Sequence, residues 1–300
     1  MNKKIFSLEM RKGMSVKDLI NEYEKGVFGA GKIAEAVNIY TDMLNRKCRV
    51  FLGLAGALVP AGLGKVIADL VRDDMVHVIV STGANITHDL IEAFGGCHLK
   101  EISGHDSELR EKGIDRIYDA FIEDESFAVF EEKINEILQK MESKLTVSDF
   151  LREIGKNLEF KDSIVRQAYL RDVPIFVPAL TDSILGLHTF LYSQEHALQI
   201  DHVKDVQKIV GLTTEKAGAI FLGGGVPKNF IFQAMLLSPR SFEYALQITT
   251  DRPEYGGLSG ATLEEAISWG KVSEDSRLCT VYCDATIAFP LIVAGVRDRQ

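Results

Sequence analysis

Lys271 is the side chain whose type and setting best suit covalent chemistry in this 300-residue sequence. It follows Trp269 and Gly270 and precedes an apolar run that ends at Asp284. A lysine amine can attack an imine or carbonyl carbon and carry the resulting group as a Schiff base. The alternative interpretation is an ordinary surface cation, which is favourable near the C-terminus of a helix.

The residues before Lys271 predict a short helix that would hold the amine in place. Thr262 and Glu265 have the spacing of a capping box, and Gly270 is typical of a helix end. Glu265 therefore has a structural interpretation beside a substrate-binding one. Trp269, the only tryptophan, can form an apolar wall or stack under an amine, or it can be a core residue.

A glycine-rich turn, Gly223–Asn229, lies between a predicted strand and a predicted helix. Glycine allows close approach of a phosphate, and a helix N-terminus favours negative charge. The turn is not the dinucleotide fingerprint, because Lys228 stands where the third glycine is needed. A tight turn without a ligand is the alternative.

Residues that are mostly small, polar or acidic also follow the other predicted strands. These residues are Gly56, Ala57, Leu58, Val59, Pro60, Thr82, Gly83, Asp182, Thr250, Asp284 and Ala285. Because ligands bind at the carboxyl ends of strands in open α/β sheets, the set predicts a nucleotide site. Asp182 and Asp284 can accept hydrogen bonds from ribose hydroxyls or cap the following helices. His88 is the only histidine expected near this edge.

Short apolar runs that alternate with helical stretches predict an α/β fold with a doubly wound parallel sheet and helices on both faces. We expect one domain over residues 1–300, with N-terminal helices (about 1–46) packed on it. The charged segment Glu123–Lys156 is interpreted as a helical excursion packed on the core. The predicted strands are Arg49–Leu54, Val76–Val80, Ile175–Val177, Ala219–Leu222, Tyr244–Thr249 and Leu278–Cys283, and the predicted helices include Ser15–Glu24, Ala30–Leu44 and one from about Thr87.

Composition argues against several classes of protein. The formal net charge of -9 disfavours nucleic-acid binding and suits a cationic ligand or a basic partner, although mild acidity also serves solubility. No segment is apolar over the ~20 residues of a membrane span, and Met1–Gly13 lacks the apolar stretch of a secretory signal. The four scattered cysteines predict a reducing, cytoplasmic location, and no metal-site spacing is present.

Several separated motifs, in order, resemble those of deoxyhypusine synthase. They are Phe51–Gly53, Gly113–Ile117, Pro178–Asp182, Gly223–Val226, Leu263–Lys271 and Val281–Ala285. The resemblance covers about residues 33–296 and implies a Rossmann-like fold and a homotetramer. It also implies NAD-dependent transfer of a 4-aminobutyl group from spermidine to a lysine of a translation initiation factor. Lys271 matches the family's nucleophile, which carries the butylimine.

The resemblance assigns the strand-end residues above, with Gly224, to NAD, and His88, Asn229, Glu265 and Trp269 to the substrate. Glu265 and Trp269 keep the family's residue types. The chain departs from the family elsewhere: well-known members have glutamate at His88, aspartate at Leu187 and Leu258, a catalytic histidine at Asn229, and a hydroxyl-rich Gly56–Pro60 loop. Carboxylates hold the ammonium groups of a polyamine, so these changes suggest a divergent branch with altered substrate recognition.

Three hypotheses follow. The first is a deoxyhypusine synthase that modifies a protein lysine. The second is a related enzyme that acts on free amines, as in homospermidine formation. The third is a catalytically silent NAD- or polyamine-binding protein, against which the retention of Lys271 counts.

Overall fold

The computed structural model describes residues 4–300, and Met1, Asn2 and Lys3 lie outside the described part. The strands are β1 (Arg49–Leu54), β2 (Val78–Ser81), β3 (Leu99–Lys100), β4 (Ile114–Ile117), β5 (Ala120–Glu123), β6 (Lys144–Thr146), β7 (Ile175–Phe176), β8 (Gln199–Asp201), β9 (Ala217–Leu222), β10 (Phe242–Thr249) and β11 (Val272–Tyr282). The helices are α1 (Val16–Tyr23), α2 (Phe28–Asn45), α3 (Gly64–Arg72), α4 (Gly83–Ala93), α5 (Asp106–Glu111), α6 (Asp124–Leu138), α7 (Val147–Lys156), α8 (Ile164–Leu170), α9 (Ile184–Glu195), α10 (His202–Gly211), α11 (Gly225–Leu236), α12 (Glu265–Ser268) and α13 (Ala285–Arg297).

The chain divides into two compact units. The first comprises the residues up to Ala55 together with Lys208–Gln300, and the second comprises Gly56–Gln207. The interpretation of residues 1–300 as one domain remains a prediction. No helix within residues 4–300 combines the length and apolar character needed to cross a membrane.

The first unit contains four parallel strands in the order β11-β10-β9-β1. Alternate residues of β9 face opposite sides of this sheet. A side chain at Gly218 would meet Met43 of α2, whereas Phe221 packs on Phe232 of α11. Helices therefore cover both faces, and the predicted α/β fold with a parallel sheet is confirmed.

The N-terminal helices pack against the C-terminal helix of the same unit. Ser15 caps α1 in a full capping box with Asp18, as its position before the apolar residues predicts. Both α1 and α2 contact α13, and α2 also contacts β10 and β11. A side chain at Gly295 would lie 3.1 Å from Ile20 and Val37, so the glycine permits this close approach.

The second unit contains the parallel pair β2 and β7. Helices α3, α4, α7, α8 and α9 pack on one another, and α7 also packs on β7. The Glu123–Lys156 segment forms mainly α6 and α7, which contact α4 and β7 respectively, as expected of a helical excursion on this core. A small antiparallel sheet, β3-β5-β4, and a parallel pair, β6 and β8, were not predicted.

Several predicted boundaries differ from the structure by one or two residues, and two predicted starts differ by more. Helix α4 begins at Gly83 rather than near Thr87, because Thr and Asn in its first turns obscure the helical pattern. Strand β11 begins at Val272, six residues before Leu278. In the first unit β11 lies at the edge of the sheet, where the polar residues of its first half can remain exposed.

Candidate active site

A short helix end holds Lys271 at the entrance to β11. The last turn of α12 closes with Gly270 N–H donating to Ile267 O at 2.9 Å and Lys271 N–H donating to Ala266 O at 3.1 Å. Gly270 has φ 68°, so the pair forms the left-handed glycine cap that the sequence predicts. On its other side, Lys271 O accepts from Phe242 N–H at 3.2 Å. The lysine backbone is therefore fixed while its half-buried side chain projects from it.

Lys271 lines a cavity of about 220 Å³ in the first unit. The wall is formed by α11, the loop before α12, and α12 itself. Asn229, Glu265 and Trp269 line the same cavity, so the structure brings together four of the five residues predicted for catalysis and substrate binding. His88, the fifth, belongs to the second unit.

Trp269 is the aromatic partner of Lys271. The lysine Nζ lies 5.2 Å from the centroid of the indole ring, within the range of a cation–π contact. The tryptophan is 61% exposed, which excludes the core interpretation for this unit. Its ring is therefore available to an amine that enters the cavity.

The carboxylate of Glu265 does not cap the start of α12. Its backbone N–H donates to Thr262 Oγ1 at 3.2 Å, which is half of the expected capping box. Among residues 4–300, no hydrogen bond or ion pair to the carboxylate itself is found. Burial lowers the pKa of Lys271, and the negative charge of Glu265 partly offsets this by raising it.

The glycine-rich turn before α11 leaves the helix N-terminus open. Gly223 and Gly225 have φ 78° and 56°, and a side chain at Gly224 would lie 2.4 Å from Ser259 Cα. No side chain caps α11, and Pro227 has no N–H, so the donors that the helix start offers are the N–H groups of Gly225 and Val226. This geometry fits a phosphate of a dinucleotide.

The other residues of the first unit that are predicted to bind the cofactor follow β10 and β11. Thr250 is exposed directly after β10. Asp284 caps α13: it accepts from the Thr286 N–H at 2.8 Å and also from the Thr286 hydroxyl. Of the two interpretations left open for Asp284, the structure shows the cap, which leaves Oδ2 for a second partner. Ala285 is the first residue of α13.

Several residues of the second unit that are predicted to bind the cofactor form hydrogen bonds at the start of α4. Thr82 Oγ1 donates to Gly56 O at 2.8 Å, and Asn85 Oδ1 accepts from the N–H groups of Leu58 and Val59 at 2.7 and 3.3 Å. These contacts fix the loop Gly56–Pro60, which continues into a helical turn over Val59–Leu63.

Gly83 and Asp182 lie on either side of another close approach. A side chain at Gly83 would lie 2.5 Å from Ser183, so only glycine fits there. Asp182 is exposed next to Ser183. The five loop residues, Thr82, Gly83 and Asp182 are all in the second unit, whereas Gly224, Thr250, Asp284 and Ala285 are in the first. Their common role in cofactor binding remains a prediction.

His88 belongs to a relay of three side chains. His98 Nδ1 lies 2.8 Å from Glu92 Oε1, and His98 Nε2 lies 2.9 Å from His88 Nδ1. If His98 carries one proton, it donates from Nδ1 to the Glu92 carboxylate, and its Nε2 accepts from His88 Nδ1. His88 Nε2 is then left with a lone pair. Burial, followed by the neighbouring His98, lowers the pKa of His88 to about 4.

Comparisons with known proteins agree on one family. A sequence model of the deoxyhypusine synthases matches residues 18–296. A Methanosarcina acetivorans protein named "Probable deoxyhypusine synthase 1" is 50% identical over 95% of this chain and 92% of its own length. An Archaeoglobus fulgidus protein of the same name is 43% identical over 99% and 98%. This chain belongs to the deoxyhypusine synthase family.

The fold agrees with the same assignment. The crystal structure of a candidate deoxyhypusine synthase from Entamoeba histolytica superposes with a TM-score of 0.67 over 96% of this chain and 94% of that chain, at 22% identity.

Two positions at which this chain departs from well-known deoxyhypusine synthases lie in the cavity of Lys271. Leu258 and Asn229 line it, where the resemblance leads us to expect an aspartate and a histidine. Leu187, on α9 of the second unit, is 57% exposed. Among the residues that line the cavity, Glu265 is the sole carboxylate.

Lys228 is the buried cation of this candidate site that sequence reasoning did not select. It lines the same cavity but is only 4% exposed. Its Nζ donates to Gln247 Oε1 at 3.0 Å and to Ala261 O. A signal was available in its position, because a cation in the first turn of a helix opposes the helix dipole.

Proposed function

We propose that this chain transfers the 4-aminobutyl group of spermidine to a lysine of a translation initiation factor, through an imine on Lys271. The observation that carries the proposal is the half-buried Lys271 amine, which lines a cavity with Trp269 and Glu265. Burial lowers the pKa of this amine, so more of it is in the nucleophilic form at neutral pH. Family membership supports the identity of the transferred group.

NAD is the cofactor that we propose, and its chemistry when bound is hydride exchange with the carbon beside an amine nitrogen. The uncapped N-terminus of α11 would hold a phosphate, and the free oxygen of Asp284 can accept from a ribose hydroxyl. Thr82, Gly83, Asp182 and the loop Gly56–Pro60 of the second unit are proposed for the same cofactor. We also propose a homotetramer, as family membership implies. The four unpaired cysteines support a reducing compartment, and we propose a cytoplasmic location.

The cavity residues have separate tasks in this reaction. Glu265 accepts hydrogen bonds from an ammonium group of the polyamine, and the exposed face of Trp269 stabilises the same charge. Lys271 attacks the carbon of the substrate imine, expels 1,3-diaminopropane and retains the aminobutyl group. The incoming acceptor amine then displaces Lys271 in the same manner.

The replaced residues favour a second candidate. Leu258 puts an apolar side chain in the cavity wall, so this site offers fewer charges to a polyamine than well-known members do. A free amine as acceptor or a different amine as donor, as in homospermidine formation, would suit such a cavity.

The test begins with enzyme, NAD and spermidine. We expect release of 1,3-diaminopropane, and borohydride should trap an aminobutyl adduct on Lys271 in the wild type but not in Lys271→Arg. Arginine keeps the charge and cannot form the imine. Undiminished turnover in that variant, or no release with any acceptor, would refute the proposal.

The acceptor is then chosen by competition. A purified translation factor and a panel of small amines are offered to the trapped intermediate separately. Modification of the factor alone supports the first candidate, and modification of small amines alone supports the second.

A further inference from the structure

Lys228 places a second amine in the cavity of Lys271, in a setting that differs from that of Lys271. Only 4% of the Lys228 surface is exposed, whereas Lys271 is half-buried. Both side chains line the 220 Å³ cavity. Glu265 lines the same cavity, and its negative charge raises the pKa of both amines.

The partners of Lys228 are neutral and fixed. Gln247 donates from Nε2 to Gly223 O at 3.0 Å and to Ser259 O at 2.8 Å. Because those two carbonyls only accept, the amide must present its oxygen to Lys228, 3.0 Å away. The second acceptor, Ala261 O, is a backbone carbonyl. Within residues 4–300, no carboxylate forms an ion pair with Lys228.

Two fixed acceptors match a neutral amine. An ammonium group has three N–H donors, one of which would find no partner among these two oxygens. A neutral amine uses both of its N–H bonds and keeps one lone pair. Burial without a counter-ion favours the neutral form, and it lowers the pKa of Lys228 to about 8 despite the opposing charge of Glu265.

We propose that Lys228 is the proton acceptor and donor for imine transfer at Lys271. The inference rests on the proposed function, since it assigns the proton transfers of that reaction. It also supplies a basic group at a site where the adjacent residue, Asn229, cannot accept a proton near neutral pH.

The proton transfers balance without a further reagent. The Lys228 amine takes a proton from the Lys271 ammonium, and the freed Lys271 lone pair forms a bond to the carbon of the substrate iminium. The electron pair of the old C=N bond moves to the substrate nitrogen. The Lys228 ammonium then gives its proton to the departing nitrogen, and the neutral amine that results takes a proton from the Lys271 nitrogen. The C–N bond breaks, the departing amine leaves with the bonding pair, and the iminium on Lys271 remains.

The charged groups around Lys228 are few. Glu265 and Lys271 are the ionisable residues that share the cavity with it, and Asp251 is linked to the same network through Ser259. Asp251 accepts from the Ser259 hydroxyl and from Arg252 N–H, and these hydrogen bonds lower its pKa, so it stays ionised. The test therefore follows the two lysines, whose pKa values are lowered by burial.

The test measures Lys271 reactivity without NAD or spermidine. Butanal and cyanoborohydride label accessible amines by reductive alkylation, and mass spectrometry reads the rate at Lys271 from pH 6 to 10. In the wild type we expect rapid labelling that rises with pH up to about 8. In Lys228→Gln and Lys228→Arg we expect the labelling rate of Lys271 at pH 8 to fall about 100-fold, which is typical of a missing general base. The rise of the rate with pH should also occur at higher pH than in the wild type.

Two further variants separate chemistry from folding. Gln247→Glu retains Lys228 but pairs it with a carboxylate. The carboxylate should keep Lys228 protonated, so the labelling rate of Lys271 should rise at higher pH than in the wild type. Lys32→Met removes a lysine of the same unit that pairs with Glu35 on the surface, and it should leave the profile unchanged. Thermal unfolding of each variant confirms that the fold is intact.

The outcomes are distinguishable. Wild-type labelling at Lys271 with unchanged profiles in all Lys228 and Gln247 variants overturns the inference and leaves the proposed function standing. Labelling at Lys228 instead of Lys271 overturns the assignment of the two roles. If wild-type Lys271 is not labelled and no 1,3-diaminopropane is released, the proposed function fails and the inference fails with it.

Discussion

The buried amine of Lys228 makes a prediction about stability that is independent of any substrate. Its pKa is lowered from 10.5 to about 8 by burial, so between these values the unfolded chain binds more protons than the folded one. The free energy of unfolding therefore rises with pH across this window. Below pH 8 the lysine is charged in both states, and the burial of that charge destabilises the fold by about 3 kcal/mol.

Lys228→Met removes this pH dependence. The two lost hydrogen bonds, and the unpaired oxygens of Gln247 and Ala261, change stability by the same amount at every pH. The difference in unfolding free energy between wild type and variant should thus increase by about 2 kcal/mol between pH 8 and pH 10. Urea unfolding of both proteins at one protein concentration measures this difference.

The control is Lys32→Met. The ion pair with Glu35 raises the pKa of Lys32, so its titration lies above this window and its difference curve should be flat. A flat or falling curve for Lys228→Met would show that the amine is charged in the folded state throughout. That result would refute the reasoning from burial and neutral acceptors.

Two other substitutions test the remaining charges of the site. Glu265→Gln should lower the pKa of Lys271 and so speed its labelling by butanal at neutral pH, while KM for spermidine rises about tenfold because a charge-assisted hydrogen bond is lost; slower labelling would contradict this. Glu92→Gln offers an N–H as well as an oxygen to His98, so we expect a mixture of tautomers at His88 in ¹⁵N NMR spectra, where the wild type should show the Nδ1–H form alone.

Local sequence patterns predicted the elements that position Lys271. The bounds of β1 are as predicted, because a continuous apolar run between polar residues is typical of a strand buried on both faces. The glycine cap after α12 is also as predicted, since Gly270 supplies a backbone conformation that other residues rarely adopt. Both features depend on residues close together in the sequence.

Contacts between distant residues could not be predicted in this way. Lys228 is paired with Gln247 and Ala261, which lie 19 and 33 residues further along the chain. His98 reaches His88 from beyond the end of α4, and its spacing matches no metal or catalytic motif. The small sheet β3-β5-β4 has strands of two to four residues, too short for a reliable alternating pattern.

The charge balance of the cavity gives a physical reason why Leu258, where the resemblance leads us to expect an aspartate, is compatible with the proposed catalysis. Every carboxylate that would hold a cationic substrate would also raise the pKa of Lys271 and Lys228, as Glu265 does. Replacing a second acid by Leu258 therefore weakens the attraction for an ammonium group but keeps both lysines closer to their neutral, reactive forms. Substrate binding adds another positive charge beside them, which disfavours their protonated forms further. In the proposed reaction, a cavity with two amines and one exposed acid thus couples the arrival of a cation to the deprotonation of Lys271.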